Sequence, residues 1–278
     1  FGIKSGDHLN GRPMGQNENE PGANGNHLHG GPGGLSSRVW DAELQQNASG
    51  EPCLFLRYIS PMLEEGYPGN LAVELLYTLR DDNSVVLDYR AITDQASVVN
   101  LTNHAYFNLS GNPLANILDH QLEIAADYSV ESTERLIPTG NLIPLGGTPL
   151  DFSQPQFIGA RLDQSFPGQL FPRRGYALTY VLRDPNRGLR YAARVKHPSS
   201  GRVLEVFTDQ PCLQFYNAWL FDGSDIGKGG RPYKSSCGFA LEAQAYPDAP
   251  NQPAFPSILL RPGEVYTQRT EYRFLVME

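Results

Sequence analysis

The 278-residue chain is 40% hydrophobic and 19% charged, with a formal charge of −8. That balance argues against disorder as its main state and against a broad electrostatic grip on nucleic acid or an anionic membrane. Its 28 Gly and 22 Pro, roughly 18% together against about 12% in average usage, favour a turn-rich fold over long helices.

No apolar run approaches the roughly 20 residues of a membrane span, and no charged-then-apolar start reads as a signal peptide. A soluble protein with a neutral or weakly polar ligand is expected. Cys53, Cys212 and Cys237 are odd in number and form no C-x-x-C pair. Neither a disulfide framework nor a cysteine zinc cage is therefore expected, and a reducing, cytoplasmic compartment is the simpler setting. The chain opens at Phe1 rather than Met, so a segment upstream is expected to have been removed, cleaved or left out of the sequence.

Residues 1–34 contain ten glycines and almost no apolar periodicity, and read as a flexible or loop-like segment. Ordered structure is expected from about Val39, with a first strand at 53–59. In 71–79, Val73, Leu75, Tyr77 and Leu79 alternate, and 84–92 answers with Val85, Leu87, Tyr89 and Ala91 across Asp81-Asp82-Asn83. That is a β-hairpin pattern. Strands follow at 121–125 and 177–183, then a second hairpin joins 189–196 to 202–208 through Pro198-Ser199-Ser200-Gly201. Segments 212–217, 237–243 and 264–275 complete the series. With this many strands, no βαβ alternation and no long helix, residues 35–278 are expected to form one all-β domain, a large sandwich or barrel.

Four polar clusters could carry chemistry. Asn26-His27-Leu28-His29-Gly30-Gly31 would let a ligand approach backbone and imidazole closely; read bluntly, it is a surface loop. Asn103-His104-Ala105-Tyr106-Phe107-Asn108 sets a histidine among amides and aromatic faces, suited to a pyranose or to simple core packing. In Gly238-Phe239-Ala240-Leu241-Glu242-Ala243-Gln244 one carboxylate interrupts an apolar strand. A buried Glu242 would be either structurally paired or tuned for proton transfer, whereas on a solvated face Glu242 and Gln244 would point outward together. Asp222-Gly223-Ser224-Asp225-Ile226-Gly227-Lys228-Gly229-Gly230 has the wrong spacing for a phosphate loop, and Gly229 stands where a magnesium-binding Ser or Thr belongs. The sequons at Asn47, Asn100 and Asn108 are weak signals.

In order along the chain, these segments resemble the aldose 1-epimerase (galactose mutarotase) family. The matching strings are LHGG at 28–31 with RVW at 38–40, EEGYPG at 64–69, LTNHAYFNLSG at 101–111 and IPTGNLIPLGGTPLDF at 137–152. QFYNAWLFDG at 214–223, GKGG at 227–230 and GFALEAQAYPDAPNQPAFPSILLRPGEVY at 238–266 continue them, so the series spans about 28–275.

The resemblance implies a galactose mutarotase-like β-supersandwich that interconverts the α and β anomers of free hexoses such as galactose or glucose. It implies acid-base ring opening and closure with no cofactor and no metal. Glu242 matches the family's base, His104 the acid on the ring oxygen, and His29 the second histidine, which binds substrate. Gln214 and Gln244 are expected to bind substrate beside it. A monomer or homodimer with a small-molecule hexose, and no nucleic acid or membrane partner, is expected.

Two departures stand out. Ala177 occupies the place of the aspartate in the family's Gly-Tyr-Asp-His string, within Gly175-Tyr176-Ala177-Leu178. The front also lacks strands that ordinarily supply a sugar-binding arginine, for which Gly11-Arg12 is a weak remnant. These departures motivate a second reading, a noncatalytic carbohydrate-binding or structural protein on the same fold. A sugar-phosphate epimerase would need a basic pocket, for which Arg173-Arg174 is the sole adjacent pair near a motif.

Overall fold

The turn at Asp81-Asp82-Asn83 joins two strands in the register that the alternation predicts. Leu71–Leu79 runs antiparallel to Ser84–Thr93, with Val73 opposite Ala91, Leu75 opposite Tyr89 and Tyr77 opposite Leu87. Asn83 takes φ 61° there, a left-handed conformation that Asn tolerates in tight turns. This geometry comes from a computed structural model, which describes residues 3–5, 27–112, 114–133, 136–164, 175–227 and 229–277. Residues 6–26, with Gly11-Arg12, and the Arg173-Arg174 pair lie outside the described residues, so most of the loop-like segment expected at 1–34 does too.

The hairpin sits in a nine-stranded antiparallel sheet. From one edge to the other this sheet runs Gln156–Phe157, Gln121–Ile124, Arg190–Lys196, Arg202–Thr208, Tyr266–Val276, Ser84–Thr93, Leu71–Leu79, Pro52–Ser60 and Asp41–Gln46. A five-stranded sheet packs against it, in the order Pro138–Pro144, Ala126–Ser132, Ala177–Leu182, Cys212–Tyr216 and Ala240–Gln244. The helical turns among the described residues are short 3-10 segments, and none is long and apolar enough to cross a membrane. One core fills the space between the sheets, with Leu75, Leu87 and Leu122 facing Tyr180, Phe215 and Leu241. The all-β sandwich expected from the sequence is the observed architecture.

The differences have local causes. The run at 121–125 is one of two strands that change sheets at Ala125: Gln121–Ile124 belongs to the large sheet and Ala126–Ser132 to the small one. Apolar spacing cannot show that break, because the buried alternation Leu122, Ile124, Ala126 runs straight through it. Pro138–Pro144 has a mostly exposed pattern, and all six residues of Asp41–Gln46 are exposed, so neither carries an amphipathic signal. The strand expected at 237–243 begins at Ala240 instead, because Cys237 closes a turn onto the Lys234 carbonyl. Two sequon asparagines are built into the fold. Asn100 is buried and bonds the Ala245 carbonyl, and the Asn108 amide donates to the carbonyls of Ala115 and Cys237.

Ala240–Gln244 is an edge strand, and its outward carbonyls are satisfied by side chains rather than by another strand. Tyr272 donates its hydroxyl to Leu241 O at 3.1 Å, Gln268 its amide to Ala243 O at 3.1 Å, and Asn100 clasps Ala245 through both its N–H (2.9 Å) and its C=O (3.3 Å). An exposed edge would otherwise invite pairing with another chain. These clasps fix the backbone on both sides of Glu242. Tyr272→Phe leaves a buried carbonyl without its donor and is expected to cost about 1–2 kcal/mol, read as a lower urea midpoint at unchanged slope.

Candidate active site

Alternation along the edge strand decides which side chains reach the site. Leu241 and Ala243 point into the core, so Glu242 and Gln244 share the opposite face. The registers of the small sheet then make rows across it. Thr179, Gln214 and Glu242 form one row, Ala177, Tyr216 and Ala240 the next, and Val181, Cys212 and Gln244 the third. Val181 packs against a separate apolar cluster of Val130, Ala249 and Phe255, which closes the end of the face nearest Gln244.

His104 follows the strand Leu101–Asn103, and Asn103 holds the turn by accepting the Ala105 N–H at 3.0 Å while its own amide donates to the Tyr77 hydroxyl. This places His104 Nε2 3.3 Å from Glu242 Oε1, with side-chain exposures of 12% and 4%. The buried alternative for Glu242 is therefore the observed one. Its carboxylate is removed from water beside the imidazole, where their interaction is screened far less than at the surface. The Tyr106 ring lies 4.8 Å from the His104 ring, and Tyr216 and Phe221 extend the aromatic wall. Burial raises the pKa values of the Tyr106 and Tyr216 phenols, so both remain protonated.

His29 arrives from a loop at the other end of the chain, and its ring stands edge-on to His104 at 6.0 Å. It adopts φ 59°, followed by Gly30 and Gly31 at φ 81° and 86°. A Cβ on Gly31 would lie 2.0 Å from Glu65 Oε2, so only glycine fits. The EEGYPG string explains itself here. Glu65 accepts the Gly33 N–H at 2.9 Å, while Glu64 takes the Arg38 guanidinium at 3.0 Å and the hydroxyls of Tyr58 and Ser60. Two acidic side chains thus hold the loop that presents His29.

The structure brings His29, His104, Glu242 and Gln214, which the resemblance named, to one face. Gln214 accepts the Thr179 hydroxyl at 2.5 Å on Oε1, which leaves its NH2 as the group offered to a ligand. Gln244 lies on the same face but is fully buried, and its amide has no hydrogen-bond partner among the described residues. Thr179 and Tyr216 were missed as site residues. Their signal was the polar alternation Thr179, Gln214, Tyr216 within otherwise apolar strands. Ala177 sits beside Tyr216 on the site face, so an aspartate there would face the cleft. The glycine-rich cluster at 222–230 becomes a hairpin, Asp222–Ile226 with Pro232–Lys234.

A carboxylate oxygen and an imidazole nitrogen this close can serve two atoms of one ligand that lie two bonds apart, taking a proton from one and giving a proton to the other.

The family model described as Aldose 1-epimerase matches residues 3–273. The chain is 44% identical over 251 residues to the galactose mutarotase of Homo sapiens, covering 90% of this chain and 70% of that protein. It is 35% identical over 252 residues to the aldose 1-epimerase of Escherichia coli K12, with the same coverage. Among solved structures, an aldose epimerase homologue from C. elegans superposes with a TM-score of 0.83 at 26% identity, covering 99% of this chain and 82% of that one. Galactose 1-epimerase from Lactobacillus acidophilus gives 0.79 at 25% identity, covering 100% and 78%.

Proposed function

Because the chain belongs to the aldose 1-epimerase family, we propose that it interconverts hexose anomers with Glu242 as general base and His104 as general acid. The observation that carries this assignment is the 3.3 Å separation of Glu242 Oε1 and His104 Nε2. The anomeric oxygen and the ring oxygen of a pyranose are both bonded to C1, so the groups that exchange protons with them must stand close together. Glu242 takes the proton of the C1 hydroxyl, the oxygen's electron pair forms the aldehyde C=O, and the C1–O5 bond breaks. The O5 electron pair takes the proton of the His104 imidazolium. Rotation about C1–C2 and reversal of both transfers close the other anomer, so neither protons nor electrons are consumed.

His29 and the Gln214 amide flank the pair as donors for sugar hydroxyls. The walls of Tyr106, Tyr216 and Phe221 suit the apolar C–H face of a pyranose. The physiological setting we propose is the cytoplasm, consistent with three free cysteines, two of them buried. Polarimetry on freshly dissolved α-galactose tests the reading. Relaxation to the equilibrium rotation should accelerate in proportion to protein concentration, and an unchanged rate would leave only sugar binding, the noncatalytic alternative.

Ala177 makes a second prediction. Ala177→Asp places an acceptor on the site face and is expected to lower KM by a factor of about 10–150, the worth of one hydrogen bond to a charged group. The added negative charge also raises the pKa of Glu242, so the alkaline shift of the base limb in the pH profile accompanies tighter binding.

A further inference from the structure

A second histidine pair lies behind the active site, built from residues that the proposed chemistry does not use. His120 is fully buried and His197 is 6% exposed, and both face the Asp119 carboxylate. His120 Nδ1 is 2.9 Å from Asp119 Oδ1 and His197 Nε2 is 3.4 Å from Oδ2, with the two rings 4.7 Å apart. One Asp and two His atoms so close would serve a metal ion by type, but the far nitrogens decide otherwise. The Leu109 N–H donates to His120 Nε2 at 3.0 Å, and the Ser200 N–H donates to His197 Nδ1 at 3.2 Å. A backbone N–H can only donate, so His120 Nε2 is a lone-pair acceptor and His120 Nδ1, facing Asp119, carries the proton; His197 Nδ1 also lies 2.8 Å from the Ser200 hydroxyl. With its proton aimed at the carboxylate, His120 Nδ1 offers no lone pair to a cation.

Leu109 closes the segment that starts at His104. That segment is anchored by the reciprocal bonds of Phe107 and Phe239 at 2.9 Å, and at its end by the Leu109 N–H on His120 and the Leu109 C=O on Arg202 Nη1 at 2.8 Å. The Phe239 ring packs edge-on against His120 at 6.1 Å. Three residues further along the chain lies Glu242. His120 therefore touches both the end of the His104 segment and the approach to the Glu242 strand.

We propose that His120 is a positioning residue for His104: its Nε2 anchors the far end of the loop that carries the acid, and Asp119 and His197 hold it in the one tautomer able to do so. The inference rests on His104 being the acid of the proposed mutarotation. Protonated at Nε2, His120 would present an N–H to the Leu109 N–H, and the anchor would open. The charged and titratable groups facing His120 are Asp119, His197 and, through the Leu109 carbonyl, Arg202; Phe239 covers another side. Burial, the largest influence, holds the His120 pKa below its ordinary 6.5. The neutral form therefore persists in the fold where an unfolded histidine is already charged. Its contribution to stability is complete above 6.5 and is lost as pH falls through the lowered value.

Two variants separate positioning from bulk. Gln places an acceptor oxygen near the Nε2 position at every pH, and Leu removes the acceptor. His120→Leu is expected to lower kcat about tenfold with a smaller change in KM, since small displacements of a reacting group are costly. His120→Gln should restore kcat to within about twofold of wild type and keep the acid-side fall due to Glu242, without the further fall expected in wild type as His120 protonates. In wild type, the Leu109 amide resonance should titrate together with that fall. The His104 ring resonances should be displaced in His120→Leu and recovered in His120→Gln, a readout that needs no turnover and, should His120→Leu not fold, is taken from the other two proteins. Equal impairment of both variants, a Leu109 amide insensitive to acid, or undisturbed His104 resonances would overturn the proposal. Loss of mutarotase activity in wild type, with the resonance pattern intact, would instead reject the mechanism while keeping the anchor.

Discussion

Glu242→Gln is expected to reduce kcat by about a thousandfold, within the range that a positioned general base supplies, while KM changes little. The amide has the shape of the carboxylate and keeps its place on the clasped edge strand between the Tyr272–Leu241 and Gln268–Ala243 bonds. It still accepts a hydrogen bond, but it cannot take the proton of the anomeric hydroxyl. Because the site is buried, bulk water cannot substitute at Glu242, whose side chain is 4% exposed. Polarimetry with variant concentration as the variable measures the effect. A variant that keeps half of the wild-type kcat would show that Glu242 is only a structural partner of His104.

His104→Gln is the second large effect, with kcat expected to fall about 10²–10³-fold. Gln can hydrogen-bond the ring oxygen but cannot give it a proton, so C1–O5 cleavage would have to expel an alkoxide. The loss should be greatest below the alkaline limb of the profile, where wild-type His104 carries its proton, and that limb should flatten in the variant. Thermal melting should stay close to wild type, because the Asn103 turn and the Phe107–Phe239 bridge hold the segment without the imidazole. Unaltered kcat on either side of neutrality would place the acid elsewhere.

Legibility in the sequence followed the physics of each element. The hairpin 71–79 with 84–92 was readable to the residue, because strict alternation over two strands and a turn-type Asn fix register on one buried face. The break at Ala125 was not, since the buried alternation of Leu122, Ile124 and Ala126 passes through the point where the chain changes sheets. Glu242 was visible as a carboxylate in an apolar strand, but its burial was not. Burial depended on Tyr272, Gln268 and Asn100 arriving from elsewhere to clasp the edge. His29 and His104 lie 75 residues apart in the sequence, and only the family resemblance joined them. Their ring separation of 6.0 Å is a product of the Glu64 and Glu65 clamp on the His29 loop. Thr179 escaped notice because one hydroxyl in a strand is ordinarily unremarked; its bond to Gln214 is a matter of register.

That fold and activity class belong to the aldose 1-epimerase family follows from matches along almost the whole chain. In this chain Ala177 lies on the face of the small sheet that carries Glu242, and a buried His120–His197 pair with the exposed Asp119 meets the end of the His104 segment. On the proposed mechanism, the first is expected to weaken substrate binding while leaving the acid and base in place. The second bonds the Leu109 end of the His104 segment and, as proposed, positions the acid.

A double-substitution cycle read by polarimetry on freshly dissolved α-galactose tests the central claim most directly. If Glu242 and His104 act on one C1 centre in a single ring-opening step, Glu242→Gln combined with His104→Gln is expected to be about as slow as the slower single variant. Losses that multiply, so that the double variant falls by the product of the two single effects, would contradict concerted action of the pair.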